Sequence, residues 1–361
     1  MLHASKTTRL IALLAIPTLL LFALACSPGG GQPGAAGSTI SLQGAGATFP
    51  NPLYQKWLSE YGKLHPNVRI DYQSIGSGGG IKQIKEQTVD FGASDAPMKD
   101  EDLKSAPAEL VHVPTVLGAV VLTYNLAGIE KPLRFSPDVA ADIFLGKVKR
   151  WDDARIKTDN PEAKLPAADI TVVHRSDGSG TSAVFTDYLS KVSAEWKEQV
   201  GAGTSPKWPV GLGGKGNEGV TGQVKQTPNT IGYVELAYAI QNKLPVALLK
   251  NRAGDFVEPS FDAVTAAAAE SLPTTPDDLR VSITDAAGKG TYPISSYTYI
   301  LLYKEQKDPA KGKALIDFLW WGIHDGEQFA RDLNYAPLPA EIVKRAEAKI
   351  NSISSAGKPL R

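Results

Sequence analysis

Apolar residues along this chain recur in two rhythms. Short β-type runs at 39–43, 68–72, 170–174, 231–235 and 295–303 lie between turn-forming residues, which is the pattern of strands. Elsewhere apolar positions return every three or four residues, as on one face of a helix. Leu53, Trp57, Leu58 and Tyr61 share such a face at 52–64, and Val184, Phe185, Tyr188, Leu189 and Val192 share one at 182–192. Further helices are predicted at 81–88, 136–144, 219–226, 263–271, 311–322, 328–334 and 340–350. The stretch 111–124 is a longer β-type run, broken by Pro114 and Gly118, and reads as a strand that leaves one lobe and enters another. Strands alternating with helices predict an α/β fold.

The first residues follow neither rhythm. Lys6 and Arg9 precede an apolar run at 10–25 that is interrupted by Pro17. The run is short for a membrane span and has the charged-then-apolar order of a secretory signal. It ends in Ala23-Leu24-Ala25-Cys26, where small residues before a lone cysteine resemble a lipoprotein signal at 1–25, cut before Cys26 and lipidated on it. Ala23 stands where such signals usually carry leucine. Residues 27–38 hold only glycine, proline, alanine, serine and glutamine, and so, with the lipidated Cys26, predict a flexible tether at 26–38.

Composition narrows the function. The 361 residues suffice for two domains. Lysine plus arginine equals aspartate plus glutamate, 38 each, which argues against a nucleic-acid surface. It leaves room for a single small anion, because a few backbone N–H groups and one arginine make such a site. Cys26 is the only cysteine, so no internal disulfide or zinc cluster is available. The five histidines have no metal-ligand spacing, and neither a metal nor a cofactor is implied.

Three segments share one layout: a β-type run, small residues with hydroxyls, then a helix. They are Gly44-Ala45-Gly46-Ala47-Thr48-Phe49, Gly76-Ser77-Gly78-Gly79-Gly80, and Arg175-Ser176-Asp177-Gly178-Ser179-Gly180-Thr181. A helix N-terminus offers unpaired N–H groups and the positive end of its dipole. One such turn is as readily a plain cap; three in one chain suggest convergence on one anion. Nucleotide motifs fail. Phe49 stands where a dinucleotide fingerprint needs glycine, and Lys215 is not followed by a hydroxyl residue as a P-loop requires. The glycines at 211–216 read as a turn. Gly178-Ser179-Gly180 is not a nucleophile elbow, since Asp177 precedes it. His174, next to Arg175, is expected to face away from it, as adjacent strand residues do.

These segments, with Val89–Pro97, Lys207–Asn217 and Ile231–Glu235, resemble the phosphate-binding proteins of bacterial phosphate-specific ABC transporters. The likeness runs from about Thr39 to the C-terminus. It implies an α/β, two-lobed periplasmic-binding-protein fold of type II, with two α/β domains joined by hinge strands and a ligand cleft between them. Lobe 1 would be 39–117 plus 296–361, and lobe 2 would be 118–295. The resemblance further implies that Thr48, the Phe49 backbone, Ser77, Asp95, Arg175, Ser179, Gly180 and Thr181 contact phosphate, with Asp177 holding the Arg175 guanidinium. Gly78 departs from the pattern, since many relatives have a second serine there. A monomer is implied, exported to the periplasm or cell surface and lipid-anchored to a membrane through Cys26. It would serve the permease and ATPase subunits of an importer and would not be an enzyme.

Nearly all these groups are donors, and Asp95 is the exception. A carboxylate facing an anion is favourable only when the ligand brings a proton, as phosphate does and sulfate does not. Three rivals remain at this level: a secreted phosphatase using Ser179, with His174 or Asp177 in support; a receptor for a different oxyanion such as sulfate, molybdate or tungstate; and a surface sensor or adhesion module in which phosphate capture is incidental.

Overall fold

The computed structural model describes residues 39–361; the signal segment, Cys26 and the tether lie outside them. Among the described residues the main sheet has eight strands, in the order Val68–Ser74, Ile40–Gly46, Phe91–Ser94, Ser295–Tyr303, Leu110–Asn125, Thr230–Glu235, Thr171–Arg175 and Leu212–Gly214. The pairs at each end are parallel. Parallel neighbours need a crossover, and the helices Asn51–Leu64, Ser77–Lys85, Gly180–Val192 and Gly216–Gln226 supply it. In such sheets ligands gather beyond the carboxyl ends of the strands. All three glycine-rich turns lie there, directly after Gly46, Ser74 and Arg175.

Leu110–Asn125 joins the two ends of the sheet. Its residues up to Ala119 pair with Ser295–Tyr303, and those from Val120 onward pair with Thr230–Glu235. All but Asn125 are buried, which explains the near-continuous apolar run. Pro114 does not break the strand. The ladder slips between Thr298 and Tyr299, opposite Val116 and Pro114, leaving Thr115 as an extra residue. Proline has no N–H to donate, so a bulge accommodates it. The Thr115 hydroxyl lies 2.7 Å from that of Tyr54 and donates to the Thr298 carbonyl at 3.2 Å.

Two sequence expectations need correction. The helix placed at 81–88 begins four residues earlier, at Ser77. Its glycines are poor helix formers, but close packing requires them: a Cβ on Gly80 would stand 2.6 Å from Gly46 Cα and 2.7 Å from the Ala93 carbonyl. The helix placed at 328–334 is instead two short 3-10 turns, Asp325–Phe329 and Arg331–Leu333. Buried Trp57 donates from Nε1 to the Gly326 carbonyl at 2.8 Å and so fixes the first of these turns against the helix Asn51–Leu64. The short helix Leu236–Gln241, which periodicity missed, starts because the Glu235 carboxyl accepts the Ala237 N–H at 2.7 Å.

Candidate oxyanion site

The first wall comes from three strand ends. Ile40–Gly46 leads to Thr48 and Phe49, Val68–Ser74 to Ser77, and Phe91–Ser94 to Asp95. Thr48, Phe49, Ser77 and Asp95 are all buried. The Phe49 carbonyl accepts the Tyr335 hydroxyl at 2.6 Å, which holds this turn from behind. Gly76 makes the turn before Ser77 with φ +88°, a conformation that disfavours side chains. Asp95 Oδ1 accepts the Thr298 hydroxyl at 2.8 Å, and its Oδ2 accepts the Ser77 hydroxyl at 3.4 Å. Burial pushes the Asp95 carboxyl up to about 7, against the opposing pull of Thr298, Arg175 and Ser77.

The second wall is one continuous turn. Thr171–Arg175 ends at a guanidinium whose Nε donates to Asp177 Oδ1 at 2.8 Å and whose Nη2 donates to Asp177 Oδ2 at 2.5 Å. The Gly216 N–H adds a bond to Asp177 Oδ1 at 3.0 Å. Burial works against the Asp177 charge, yet the bonds from Arg175 hold its carboxyl below the usual range. Arg175 Nη1 also donates to the Thr181 hydroxyl at 3.2 Å. Ser179 caps the helix Gly180–Val192, its hydroxyl accepting the Ser182 N–H at 3.0 Å. That leaves the Gly180 and Thr181 N–H groups as first-turn donors without intrahelical partners.

The two walls touch. The Gly78 N–H donates to the Gly178 carbonyl at 2.8 Å. A Cβ on Gly78 would stand 3.0 Å from Gly178 Cα, so the glycine there is a close backbone approach. A Cβ on Gly180 would collide with the Ser77 hydroxyl and Asp95 Oδ2, and would lie 2.8 Å from Asp95 Cβ. The structure therefore brings Thr48, Phe49, Ser77 and Asp95 together with Arg175, Asp177, Ser179, Gly180 and Thr181.

Sequence reading missed four contributors. Thr298 lies in an apolar strand, and nothing local marks its hydroxyl as the Asp95 partner. Asn217 and Tyr238 both reach Thr48: Asn217 Nδ2 donates to its hydroxyl at 2.7 Å, and the Tyr238 hydroxyl donates to its carbonyl at 2.6 Å. Glu235 is fully buried, and burial pushes its carboxyl well above the ordinary range. The glycines at 211–216 do more than turn the chain, since Gly216 N–H anchors Asp177. His174 stacks on Trp208 at 5.0 Å, and its Nδ1 lies 2.9 Å from the Arg175 carbonyl rather than against Ser179. Among the described residues no cluster of three or more His, Cys, Asp or Glu is arranged to hold a metal ion.

The PBP superfamily domain matches residues 33–321 of this chain. The phosphate-binding protein PstS of Xylella fastidiosa strain Temecula1 is 48% identical over 311 residues, covering 86% of this chain and 85% of that protein. This chain belongs to the PstS family. The PstS of Methanocaldococcus jannaschii is 43% identical over 339 residues, 88% of this chain and 87% of that protein. Two solved structures share the fold at about one-fifth identity. A putative phosphate ABC transporter substrate-binding protein with bound phosphate, from Clostridium perfringens, has a TM-score of 0.61 at 20% identity and covers 83% of this chain and 100% of its own. A phosphate-binding protein from Stenotrophomonas maltophilia has a TM-score of 0.64 at 20% identity and covers 86% and 92%. The fold of this PstS-family chain is accordingly the two-lobed periplasmic-binding-protein type, and its glycine-rich turns are the strand-end loops of that fold.

Proposed function

We propose that this chain captures inorganic phosphate outside the cytoplasmic membrane and delivers it, chemically unchanged, to an ABC-type importer. The observation that carries the reading is Asp95: a buried carboxyl set among hydrogen-bond donors, held by Thr298 and Ser77 and facing Arg175 across the site. Thr48, the Phe49 N–H, Arg175, Ser179, Gly180 and Thr181 donate to the phosphate oxygens, and the one hydrogen of the Ser77 hydroxyl turns from Asp95 Oδ2 to the anion when it binds. Asp95 accepts a hydrogen bond from the proton that phosphate retains. Asp177 keeps the Arg175 guanidinium aimed. Ser179 already serves as a helix cap, and His174 is stacked elsewhere; this supports binding rather than ester hydrolysis.

The lobes are 39–117 plus 296–361 and 118–295, hinged where Leu110–Asn125 changes partner. Closure brings the turns after Ser74 and Arg175 into contact around the anion. Cys26 carries the lipid anchor and 27–38 the tether, so the monomeric body reaches the permease of the importer, whose ATPase subunits drive uptake. Among the described residues no helix is long and apolar enough to cross a membrane.

Calorimetric titration of the mature chain tests the reading. Phosphate should bind with a Kd of about 1 μM or tighter, which needs roughly 8 kcal/mol. Several charge-assisted bonds at about 1.5–3 kcal/mol each suffice for that. A large excess of sulfate should leave the isotherm unchanged; equal competition by sulfate would refute it.

Gly180 offers a separate check on closure. Gly180→Ala inserts a methyl against Ser77 and Asp95, and should weaken phosphate about 100-fold, in line with an overpacking cost of roughly 1–3 kcal/mol. X-ray scattering should find the variant more open in saturating phosphate; an unchanged Kd would remove the contact from the closing geometry.

A further inference from the structure

The side chain of Asn217, second residue of the helix Gly216–Gln226, is fully buried at the junction of both walls. Its amide orientation is decided by one neighbour. Oδ1 accepts the Glu235 backbone N–H at 2.9 Å. A backbone N–H only donates, so the oxygen must face Glu235 and the NH2 must face the other way. That NH2 lies 2.7 Å from the Thr48 hydroxyl and 3.1 Å from the Thr181 hydroxyl, one hydrogen for each.

Each threonine hydroxyl then receives a second donor. Thr48 Oγ1 accepts the Asn217 backbone N–H at 3.2 Å, and Thr181 Oγ1 accepts Arg175 Nη1 at 3.2 Å. A hydroxyl has two lone pairs and one hydrogen. Both lone pairs on both oxygens are occupied by protein donors. The only bonding capacity left on each is its O–H.

We infer that Asn217 is a positioning residue which forces the Thr48 and Thr181 hydroxyls to present themselves to the anion as donors only. A free hydroxyl rotates and can turn a lone pair toward an anion; these two cannot. Such preorganised donors need no reorientation when the ligand arrives. Thr48 belongs to the first wall and Thr181 to the second, so the same amide also ties the closed walls together. The inference rests on the phosphate-binding reading above.

The order of two substitutions separates this role from simple structural support. Asn217→Asp is isosteric and keeps an oxygen for the Glu235 N–H. Its other oxygen accepts where the amide donated, so both hydroxyl hydrogens turn toward it and away from the anion. Structural support alone predicts that Asn217→Asp is milder than Asn217→Ala; the donor-setting role predicts the reverse.

Phosphate titration calorimetry on the mature chain, with thermal melts of each variant, reads the outcome. Asn217→Ala should weaken phosphate about 30-fold, the scale of two ordinary hydrogen bonds. Asn217→Asp should weaken it about tenfold further. In a Thr48→Val, Thr181→Val background, where no hydroxyl remains to be set, Asn217→Ala should cost no more than about threefold. In the same background Asn217→Asp measures the added charge alone, and its cost should be smaller than in the parent. An equal cost of Asn217→Ala in both backgrounds would overturn the inference, as would Asn217→Asp binding at least as tightly as Asn217→Ala. If Asn217→Ala does not fold, near-normal affinity of Asn217→Asp overturns it alone. Failure of the unaltered chain to bind phosphate would overturn the functional reading and this inference together.

Discussion

Arg175→Ala is expected to weaken phosphate binding by about a thousandfold or more, a loss of at least roughly 4 kcal/mol. Two effects act in the same direction. Arg175 is the one cation among the proposed contacts, and it sits in a buried setting where charge-assisted bonds count most. Its removal also strands Asp177, whose carboxyl is held by Arg175 Nε and Nη2. Asp177 is mostly shielded, its side chain 13% exposed, so its charge is poorly solvated once the partner is deleted. Here the stranded charge is negative and lies beside the proposed phosphate site. Calorimetry returning a Kd within tenfold of the parent would take Arg175 out of the binding role.

Asp95→Asn is expected to leave phosphate bound while admitting sulfate, with discrimination between them falling by roughly 100- to 1,000-fold, the scale of a buried like-charge contact. An amide donates as well as accepts, so it meets an unprotonated anion without repulsion. The pH dependence carries its own sign. Because burial pushes Asp95 up to about 7, the carboxyl takes a proton as pH falls through neutrality and then donates to sulfate itself. Sulfate binding by the parent should therefore strengthen below about pH 7, and an anion in the site extends that window upward by favouring the proton. In Asp95→Asn the dependence should flatten. Competition titrations at acidic and alkaline pH check both statements; unchanged selectivity in the variant would remove Asp95 from discrimination.

Much of this arrangement was legible because it is local. A strand end, a capping hydroxyl and the first turn of a helix lie within a few residues of one another, as in the run from Arg175 to Ser182. Periodicity located Asn51–Leu64, Gly180–Val192 and Ser295–Tyr303 to within two residues. It failed at Ser77–Lys85, where glycines that look like a loop are helical because two backbones press on them. It also failed at 328–334, where the chain makes two short 3-10 turns, Asp325–Phe329 and Arg331–Leu333, in place of a regular helix.

What the amino-acid order determines by itself is the set of parts: alternating strands and helices, three anion-ready turns, an arginine two residues before its carboxylate, and no surplus charge. What only the tertiary structure decides is how those parts face one another. Thr298 reaches Asp95 across 203 positions, and Asn217 reaches Thr48 across 169. Neither partnership leaves a trace in periodicity, because hydrophobic patterning sets which face of an element is buried but not which strand becomes its neighbour. Sheet order makes that choice, and sheet order brings a carboxyl from one wall and a guanidinium from the other to the same buried site.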